Sequence, residues 1–488
     1  MRTLPTINIG LIAPLGVDLE IFQKALANGL KKVGYETKII RFTKVLEDLG
    51  KFDLKHKDAF EKFRKYIKAG NRICRNTKRR DILAMGAIAQ VFNLPKSQMP
   101  RARVFRQIKR VEEISLLRQA YKDRIVFIGC YLSKKGRIQN LVDQLLEKER
   151  DVSQDILRSK ALELIGIDEN ERNVKDGQRF LDCFPYSDFI ADCTDKATLT
   201  LSIQRFIECF FGHPYVTPEI DEYGASVAHL VALRSSDLSR QVGAAIFSDQ
   251  RAIISAGCNE VPRAGGGTYW SGCSPDKRDF QKGYDSNNKV KTDMLRDVLA
   301  KLQAWLGDDL KNKSPEELVK IAIAENGPLA DAMIGDVIEF GRMEHAEMNA
   351  ITDAARFGRS VSGATLYCTT MPCHMCAKLI VASGIARVVY LQPYHKSLVS
   401  ELFDDSIAVD EPPEGRVIFE PFRGVTPNAY QAVFQMKGKR KDDNGKALSW
   451  QESEGEPIFV QSELDLTPIA EARAAKDFGD HLTKAKLL

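Results

Sequence analysis

Short apolar segments alternate with amphipathic stretches along the first part of the chain. Ile7–Ala13, Thr37–Phe42, Arg124–Leu132 and Asp188–Asp192 are short runs rich in β-branched or aromatic residues, which predicts buried strands. Leu19–Val33 has the apolar spacing of an amphipathic helix. Because strands that are separated by helices pair side by side, this pattern predicts a parallel α/β sheet.

The pattern breaks at Gly212–Pro218, and a second α/β unit follows. A helical stretch at Ala225–Ser235 precedes two apolar runs, Val242–Phe247 and Arg251–Cys258, which predict adjacent strands. Residues 268–340 carry helical patterns of their own and predict a helical insertion. The predicted domains are residues 1–212, residues 213–425 and a C-terminal extension over residues 426–488.

The composition is that of a globular protein. The chain has 488 residues, of which 44% are hydrophobic and 28% are charged. Its ten cysteines are too dilute for a disulfide framework. No apolar run reaches the ~18 residues of a membrane helix, and the apolar N-terminal stretch is too short and too broken for a cleavable signal. We therefore expect a cytoplasmic protein with no membrane partner.

Positive charge is concentrated in one segment. Residues 51–124 contain 21 Lys and Arg against 7 Asp and Glu, whereas the net charge of the whole chain is +5. The pattern predicts a largely helical insertion between strands of the first domain. Two interpretations of its charge stay open: a solvated helical face, or a surface for RNA or polyphosphate.

The residues with the clearest chemistry form two short motifs. His345 and Glu347 form H-x-E, and Cys373 and Cys376 follow as P-C-x-x-C. Cysteines at i and i+3 lie on one side of a helical turn, and the positive end of that helix favours their thiolate forms. One His and two Cys ligands leave a fourth position for water, as in a catalytic zinc site.

Glu347 is two residues from His345, so it points elsewhere on the helix and can take a proton from a bound water instead of ligating. An alternative is a closed structural zinc site, with Cys368 or His374 as the fourth ligand. That alternative leaves the spacing of Glu347 unexplained. The combined motif is typical of zinc deaminases.

The chain resembles the cytidine deaminase superfamily, and within it the deoxycytidylate deaminases. Four stretches carry the resemblance: Leu233–Ala244 (LRSSDLSRQVGA), Gly257–Arg263 (GCNEVPR), His345–Ile351 (HAEMNAI) and Leu366–Cys376 (LYCTTMPCHMC). The resemblance implies a five-stranded sheet sandwiched by helices, Zn²⁺ as cofactor, and hydrolytic deamination of dCMP, dCTP or both. A polynucleotide deaminase and a non-catalytic RNA-binding zinc protein are the alternatives.

The resemblance also implies substrate contacts. Asn259 would contact the sugar, the backbone of Ala346 and the carboxyl of Glu347 would hold the pyrimidine edge, and Arg240 and Arg263 are candidates for the phosphate. For Asn259 a plain turn residue is the alternative, and for the two arginines an ordinary surface position.

The order of domains resembles the two-domain anti-phage deoxycytidylate deaminases of the AvcD type, in which a P-loop-nucleotide-kinase-like domain precedes the deaminase. That resemblance implies depletion of deoxycytidine nucleotides during phage infection and a small regulatory RNA as partner of segment 51–124. The resemblance to the cytidine deaminase superfamily implies a homo-oligomer. The loop Gly10–Asp18 departs from a phosphate-binding loop. Val17 stands where lysine is needed, and Asp18 where a hydroxyl is needed, so we expect no ATP turnover there. The alternative is an intact but unusual phosphate site.

Overall fold

The computed structural model describes residues 4–95, 99–146, 152–171, 176–305, 307–324, 327–330, 332–394, 397–410, 414–460 and 465–487. Elements of the first part are β1 (Ile7–Ile12), α1 (Leu19–Lys32), β2 (Glu36–Arg41), α2 (Phe42–Leu49), α3 (Ala59–Thr77), α4 (Ile82–Phe92), β3 (Arg101–Arg106), α5 (Val111–Tyr121), β4 (Ile125–Tyr131), α6 (Lys134–Leu146), α7 (Gln154–Asn170), α8 (Phe180–Cys183), β5 (Phe189–Asp192) and α9 (Lys196–Phe210). They are followed by α10 (Ile220–Ala232), β6 (Gly243–Phe247), β7 (Ile253–Cys258), α11 (Asp279–Lys282), α12 (Ser286–Leu302), α13 (Asp308–Lys311), α14 (Pro315–Ala322), α15 (Ala346–Arg356), β8 (Thr365–Thr370), α16 (His374–Ala382), β9 (Arg387–Gln392), α17 (Val399–Leu402), β10 (Ile407–Val409), β11 (Val417–Pro421), β12 (Gly424–Val425), α18 (Pro427–Phe434) and α19 (Thr467–Lys484). No described helix combines the length and the low polarity that a membrane span requires.

The chain divides into two units. Unit 1 comprises Met1–Glu222 and Arg423–Leu488, and unit 2 comprises Tyr223–Phe422. The prediction of a separate extension over residues 426–488 differs from this division, because β12 pairs with β5 and α19 packs against α4 and α5 of unit 1. Contacts between segments so distant in sequence leave no local pattern. The first predicted boundary, at residue 212, lies before the observed division at Glu222.

Unit 1 is built on a sheet with the order β12-β5-β4-β1-β3-β2, in which β5 to β2 are parallel and β12 is antiparallel. The helices α1 and α9 pack together, and they bury Phe22 and Phe206 in the core beside the sheet. The parallel α/β sheet that the apolar pattern predicts is therefore present.

The prediction of a largely helical insertion over residues 51–124 is wrong in one respect, since it contains β3. The sequence Arg101–Arg106 alternates partly exposed arginines with buried Ala102 and Val104. This is the two-residue period of a strand. The strand is central, pairing with both β1 and β2. The arginines at the partly exposed positions give this segment a high charge, which obscures the alternating pattern that predicts a strand.

Unit 2 has a sheet with the order β10-β11-β9-β8-β6-β7, antiparallel among β7, β6 and β8 and parallel from β8 to β10. It therefore has six described strands rather than the five that the family resemblance implies. α15 packs against β6, β7 and α16 and buries Ala346, Ala350 and Ala354 in the core. These small residues let α15 lie close to the sheet.

The range 268–340 contains the helices α11 to α14, of which α12 is the longest with 17 residues. Ser314 and Glu317 make reciprocal hydrogen bonds at the start of α14, which form a capping box. On α12 Leu295 is buried, whereas Val298 and Leu302 are exposed.

Candidate metal centre and substrate pocket

Three side chains meet at the adjoining N-termini of α15 and α16. His345 immediately precedes α15, Cys373 immediately precedes α16, and Cys376 lies in the first turn of α16. The Nδ1 atom of His345 is 3.3 Å from each of the two Sγ atoms, and the sulfurs are 3.7 Å apart. The sequence separates these residues by up to 31 positions, and the parallel strands β8 and β9 help to bring the helix N-termini to one edge of the sheet.

These distances fit a zinc ion. Tetrahedral zinc with Zn–S bonds of ~2.3 Å and a Zn–N bond of ~2.0 Å requires a sulfur–sulfur distance of about 3.8 Å and a sulfur–nitrogen distance of about 3.5 Å. The observed values of 3.7 and 3.3 Å lie close to both. His345, Cys373 and Cys376 also form the one group of potential metal ligands detected among the described residues.

Without a cation, the electrostatics of the cluster favour the ligating form of Cys373 but not those of His345 and Cys376, so metal binding would have to displace a proton from each of these two. A hydrogen bond with Cys376 lowers the pKa of the Cys373 thiol to about 4, despite burial. Burial opposes the charged form of His345, but the hydrogen bond with Cys373 raises its pKa to about 9. Burial raises the pKa of Cys376, which would need a cation to become a thiolate. A divalent cation would balance the charge of both thiolates.

Glu347 lies against this cluster and is only 4% exposed. Its Oε2 atom is 3.4 Å from Sγ of Cys376. Burial raises the pKa of Glu347 to about 7, so its carboxyl group can bind and release a proton near neutral pH. A carboxyl group with this pKa beside a metal site has the properties of a proton carrier.

The two residues considered as a fourth ligand lie elsewhere. Cys368 is buried on β8 with its thiol 3.7 Å from the carbonyl oxygen of Val389, and the Nε2 atom of His374 is 3.2 Å from the Oε1 atom of Glu339. Neither belongs to the ligand group. The arrangement favours a three-residue site over a closed one.

A pocket of about 330 Å³ opens beside the cluster. Three of the predicted substrate-binding residues, Arg240, Asn259 and Ala346, line it together with His345, Glu347 and Cys373. Arg263 does not: it is exposed on the loop after β7, and its NH1 atom is 3.7 Å from Sγ of Cys273. The expectation that Arg263 contacts phosphate is therefore not supported by its position, because the loop carries it away from the described pocket lining.

The side chain of Asn259 stabilises the backbone of the pocket wall. Its Oδ1 atom accepts a hydrogen bond from Val242 N at 2.7 Å, and its Nδ2 atom donates to Arg240 O at 2.8 Å. The side chain thus fixes the backbone segment that carries Arg240. One N–H of the amide remains for another partner.

Sequence reasoning missed two groups of lining residues. Tyr394 lies after β9, and the guanidinium of Arg240 lies over its ring, 5.6 Å from the centroid. Asn287 and Lys291 reach the pocket from α12 of the insertion, where their side chains donate to the carbonyls of Val337 and Gly335. Aromatic and polar residues after a strand were a signal for Tyr394, whereas the placement of α12 is set by tertiary contacts alone.

Comparison with known proteins identifies the family. The family model "Cytidine and deoxycytidylate deaminase zinc-binding region" matches residues 218–392. The deoxycytidylate deaminase of Enterobacteria phage T2 is 33% identical over 177 residues, which are 35% of this chain and 79% of the phage protein. The probable deoxycytidylate deaminase of Drosophila melanogaster is 31% identical over 171 residues, 35% of this chain and 58% of the fly protein.

The solved structure of dCMP deaminase from cyanophage S-TIM5 in complex with dCMP and dUMP covers 43% of this chain and 100% of its own, at 20% identity and a TM-score of 0.24. A score this low adds nothing to the assignment, which depends on the sequence match to the phage T2 protein. The matched region contains all three cluster residues and Glu347. The chain is therefore an enzyme of the deoxycytidylate deaminase family.

Proposed function

We propose that the chain catalyses the hydrolytic deamination of dCMP to dUMP and ammonia, with Zn²⁺ held by His345, Cys373 and Cys376. The observation that carries the proposal is the contact between this ligand group and the buried carboxyl of Glu347 beside a pocket. The names of the relatives supply the substrate: the phage T2 and fly proteins are deoxycytidylate deaminases.

Glu347 moves the protons in this reaction. When bound, zinc supplies a Lewis acid that makes water nucleophilic near neutral pH. The carboxylate of Glu347 accepts the proton that water loses on attacking C4 of cytosine and passes it to the ring nitrogen N3. It then delivers the second water proton to the amino group, which leaves C4 as ammonia. One water is consumed, and the products are dUMP and ammonia.

Arg240 holds the phosphate in this proposal. Its guanidinium lies over the ring of Tyr394 at the pocket, and no carboxylate within ion-pair distance of it is found in the described part of the chain. A planar guanidinium suits a phosphate monoester. In the same proposal the remaining N–H of Asn259 contacts the sugar, and the backbone of Ala346 at the start of α15 contacts the pyrimidine edge; both residues line the pocket.

The pocket favours a free nucleotide over a polynucleotide. A strand of DNA or RNA needs stacking aromatics beside the site. The aromatic lining residue Tyr394 has Arg240 over its ring, 5.6 Å from the centroid. Trp270, which is 58% exposed, does not line the pocket, and Arg234 covers its ring at 4.1 Å from the centroid. The five acidic residues of the lining, Asp237, Asp279, Asp285, Asp336 and Glu347, also disfavour a long polyanion.

The finer expectations for the whole chain stay predictions. They comprise turnover of dCTP, nucleotide depletion in anti-phage defence, a regulatory RNA on residues 51–124, a homo-oligomer and a cytoplasmic location. The basic segment supports the RNA partner only in part, since several of its cations are used internally: Lys109 pairs with Asp168, Arg103 with Glu471 and Arg110 with Glu113. The parallel sheet of unit 1 supports a P-loop-kinase-like ancestry for that unit.

The test is a comparison of substrates. The purified full chain, loaded with zinc, is incubated separately with dC, dCMP, dCTP, CTP and single-stranded DNA, and uracil products are measured by chromatography. We expect product from dCMP. Product from DNA alone, or from no substrate while zinc is stoichiometric, would overturn the proposal.

A matched pair of cysteine variants controls for folding. Cys376→Ala removes one ligand, and we expect it to lose both zinc and activity. Cys368→Ala removes a buried cysteine of the neighbouring strand that lies outside the ligand group, and we expect it to keep both. Equal loss in the two variants would mean that the effect is structural and would count against the ligand assignment.

A further inference from the structure

Unit 1 contains a cleft remote in sequence from the deaminase motifs. It has a volume of about 500 Å³ and lies outside the carboxyl ends of β1, β2 and β3. In the sheet, β3 and β2 lie on one side of β1, and β4 and β5 lie on its other side. The connections between strands therefore change from one side of β1 to the other. In open α/β sheets, ligands bind in the crevice that forms outside the carboxyl ends of the strands where the strand order reverses in this way. The volume is in the range of small-molecule sites.

Two arginines end adjacent strands at this cleft. Arg41 is the last residue of β2, Arg106 is the last residue of β3, and the two are register partners. Register partners of parallel strands project from the same face of a sheet, and both arginines line the cleft. Arg41 is 3.3 Å from Glu47, but no ion pair or hydrogen bond of the Arg106 guanidinium is found among the described residues, and its buried Nε has no acceptor.

The positive charges of Arg41 and Arg106 repel each other. Burial and the nearby charge of Arg41 lower the pKa of Arg106, although Glu20 and Asp18 partly offset this. Arg106, whose Nε is buried without an acceptor, and the more exposed Arg41 on the neighbouring strand are better satisfied when an anion lies between them. A phosphate group has the charge and the oxygen geometry to bridge two guanidiniums.

The backbone next to Arg106 is held in an uncommon conformation. Gln107 has a φ of 78°, in the left-handed region. Its Oε1 atom accepts a hydrogen bond from Thr43 Oγ1 at 2.9 Å, which ties the end of β3 to the start of α2. Backbone strain of this kind is commonly retained at ligand sites. Both residues line the cleft beside the arginines.

The loop after β1 cannot also hold a polyphosphate chain. Its amides already serve carboxylates of the protein: Leu15 N donates to Asp168 Oδ2 at 2.8 Å, and the amides of Glu20 and Ile21 donate to Asp18 Oδ1. Asp18 and Glu20 add negative charge at the N-terminus of α1. Among the cations that line the cleft, Lys109 pairs with Asp168 and Lys62 is exposed, so Arg41 and Arg106 at the strand ends are the pair that suits one phosphate group.

The cleft also has aromatic lining residues. Phe63 and Tyr66 of α3 line the cleft, and Tyr66 is fixed by a hydrogen bond to Glu47 at 3.0 Å. Aromatic side chains can stack on a nucleobase, and carboxylates such as Glu47 can accept from its amino groups. We propose that this cleft binds a nucleoside 5′-monophosphate, with Arg41 and Arg106 on the phosphate and the base against Phe63 and Tyr66.

The test is calorimetric titration of the full chain with dAMP, dGMP, dTMP, ATP and inorganic phosphate. We expect at least one of the monophosphates to bind more tightly than ATP and inorganic phosphate. Arg106→Gln should weaken that binding about tenfold or more, the loss expected for a charged hydrogen-bonding partner. Arg106→Lys keeps the positive charge but not the planar set of N–H donors of the guanidinium, and it should weaken the binding less.

Three controls make the result specific. Arg473→Gln removes an exposed cation on α19, away from the cleft, and should bind as the wild type does. If Arg240→Gln abolishes monophosphate binding and Arg106→Gln does not, the nucleotide is in the deaminase pocket and the proposal is wrong. Equal affinity for inorganic phosphate, tighter binding of ATP, or binding only of a 5′-phosphorylated RNA would also overturn it.

Discussion

The most direct prediction concerns the substitution Glu347→Gln. Glutamine keeps the size of the side chain and one oxygen acceptor but cannot take up a proton. Glu347 is 4% exposed and its Oε2 atom is 3.4 Å from Sγ of Cys376, so a group of equal volume should leave the packing unchanged. Since Glu347 is not in the ligand group, zinc content should also stay the same.

The expected loss of activity follows from the number of proton transfers. Positioned general acid–base catalysis contributes ~10²- to 10⁴-fold. The same carboxyl group serves both the attack of water and the departure of ammonia, so the loss should lie near the upper end, about 10⁴-fold in kcat. That corresponds to about 5 kcal/mol of transition-state stabilisation.

The assay compares wild type, Glu347→Gln and Glu401→Gln, the last an exposed carboxyl of unit 2. Initial rates of dUMP formation from dCMP are measured along with zinc content and the affinity for dUMP. We expect activity to fall only in Glu347→Gln, with zinc and dUMP affinity retained. A kcat within tenfold of wild type, at full zinc content, would refute the role of Glu347 as proton carrier.

Three further predictions concern stability and binding. Burial raises the pKa of Glu113 from 4.5 to about 7. The folded state then holds a proton that the unfolded state releases, so the free energy of unfolding should fall by on the order of 3 kcal/mol as the pH rises from ~4.5 to 7. Denaturant unfolding should show the contribution of Glu113 in wild type and in Glu112→Gln, whereas Glu113→Gln should lack it and keep the similar contribution of Glu347, whose pKa burial also raises to about 7. Equal slopes in the three proteins would contradict the prediction. In Gly257→Ala, the added Cβ would lie 2.5 Å from Ala350 N and 2.7 Å from Ala346 O. We expect a loss of about 1–3 kcal/mol and reduced zinc affinity, whereas Gly307→Ala, whose Cβ would have no neighbour within 4 Å, should cost far less. Arg240→Gln should raise the KM for dCMP tenfold or more with little change in kcat, and Arg263→Gln should not; the reverse result would restore Arg263 to the site.

The fold of unit 1 was predictable where its signals are local. β1, β2, β4 and β5 are short apolar runs with clear ends, and each lies within two residues of its prediction. β3 was missed because arginines occupy its partly exposed positions. Membership of β12 and α19 in unit 1 could not be predicted, since it results from pairing and packing between segments more than 200 residues apart.

The site shows the same division between local and non-local information. The ligands Cys373 and Cys376 share a helical turn, so their spacing alone predicts that they converge. The position of Arg263 depends on a loop with three consecutive glycines in the left-handed region, and no spacing rule specifies where such a loop points. Asn259 fixes the backbone that carries Arg240 through its hydrogen bonds with Val242 N and Arg240 O, and only the structure shows these bonds.

The helices α15 and α16 at the metal centre have N-termini that are less stable than other residues would make them. His345 and Cys373 occupy the N-cap positions of α15 and α16, and neither side chain caps its helix. Serine or aspartate there would stabilise each helix by ~1 kcal/mol but would not provide the same ligands. In return, two positive helix ends converge on the sulfurs and favour the thiolate form that a metal needs. Local propensity and function therefore disagree at these two positions. We infer that the ligands, not helix stability, determine which residues stand there.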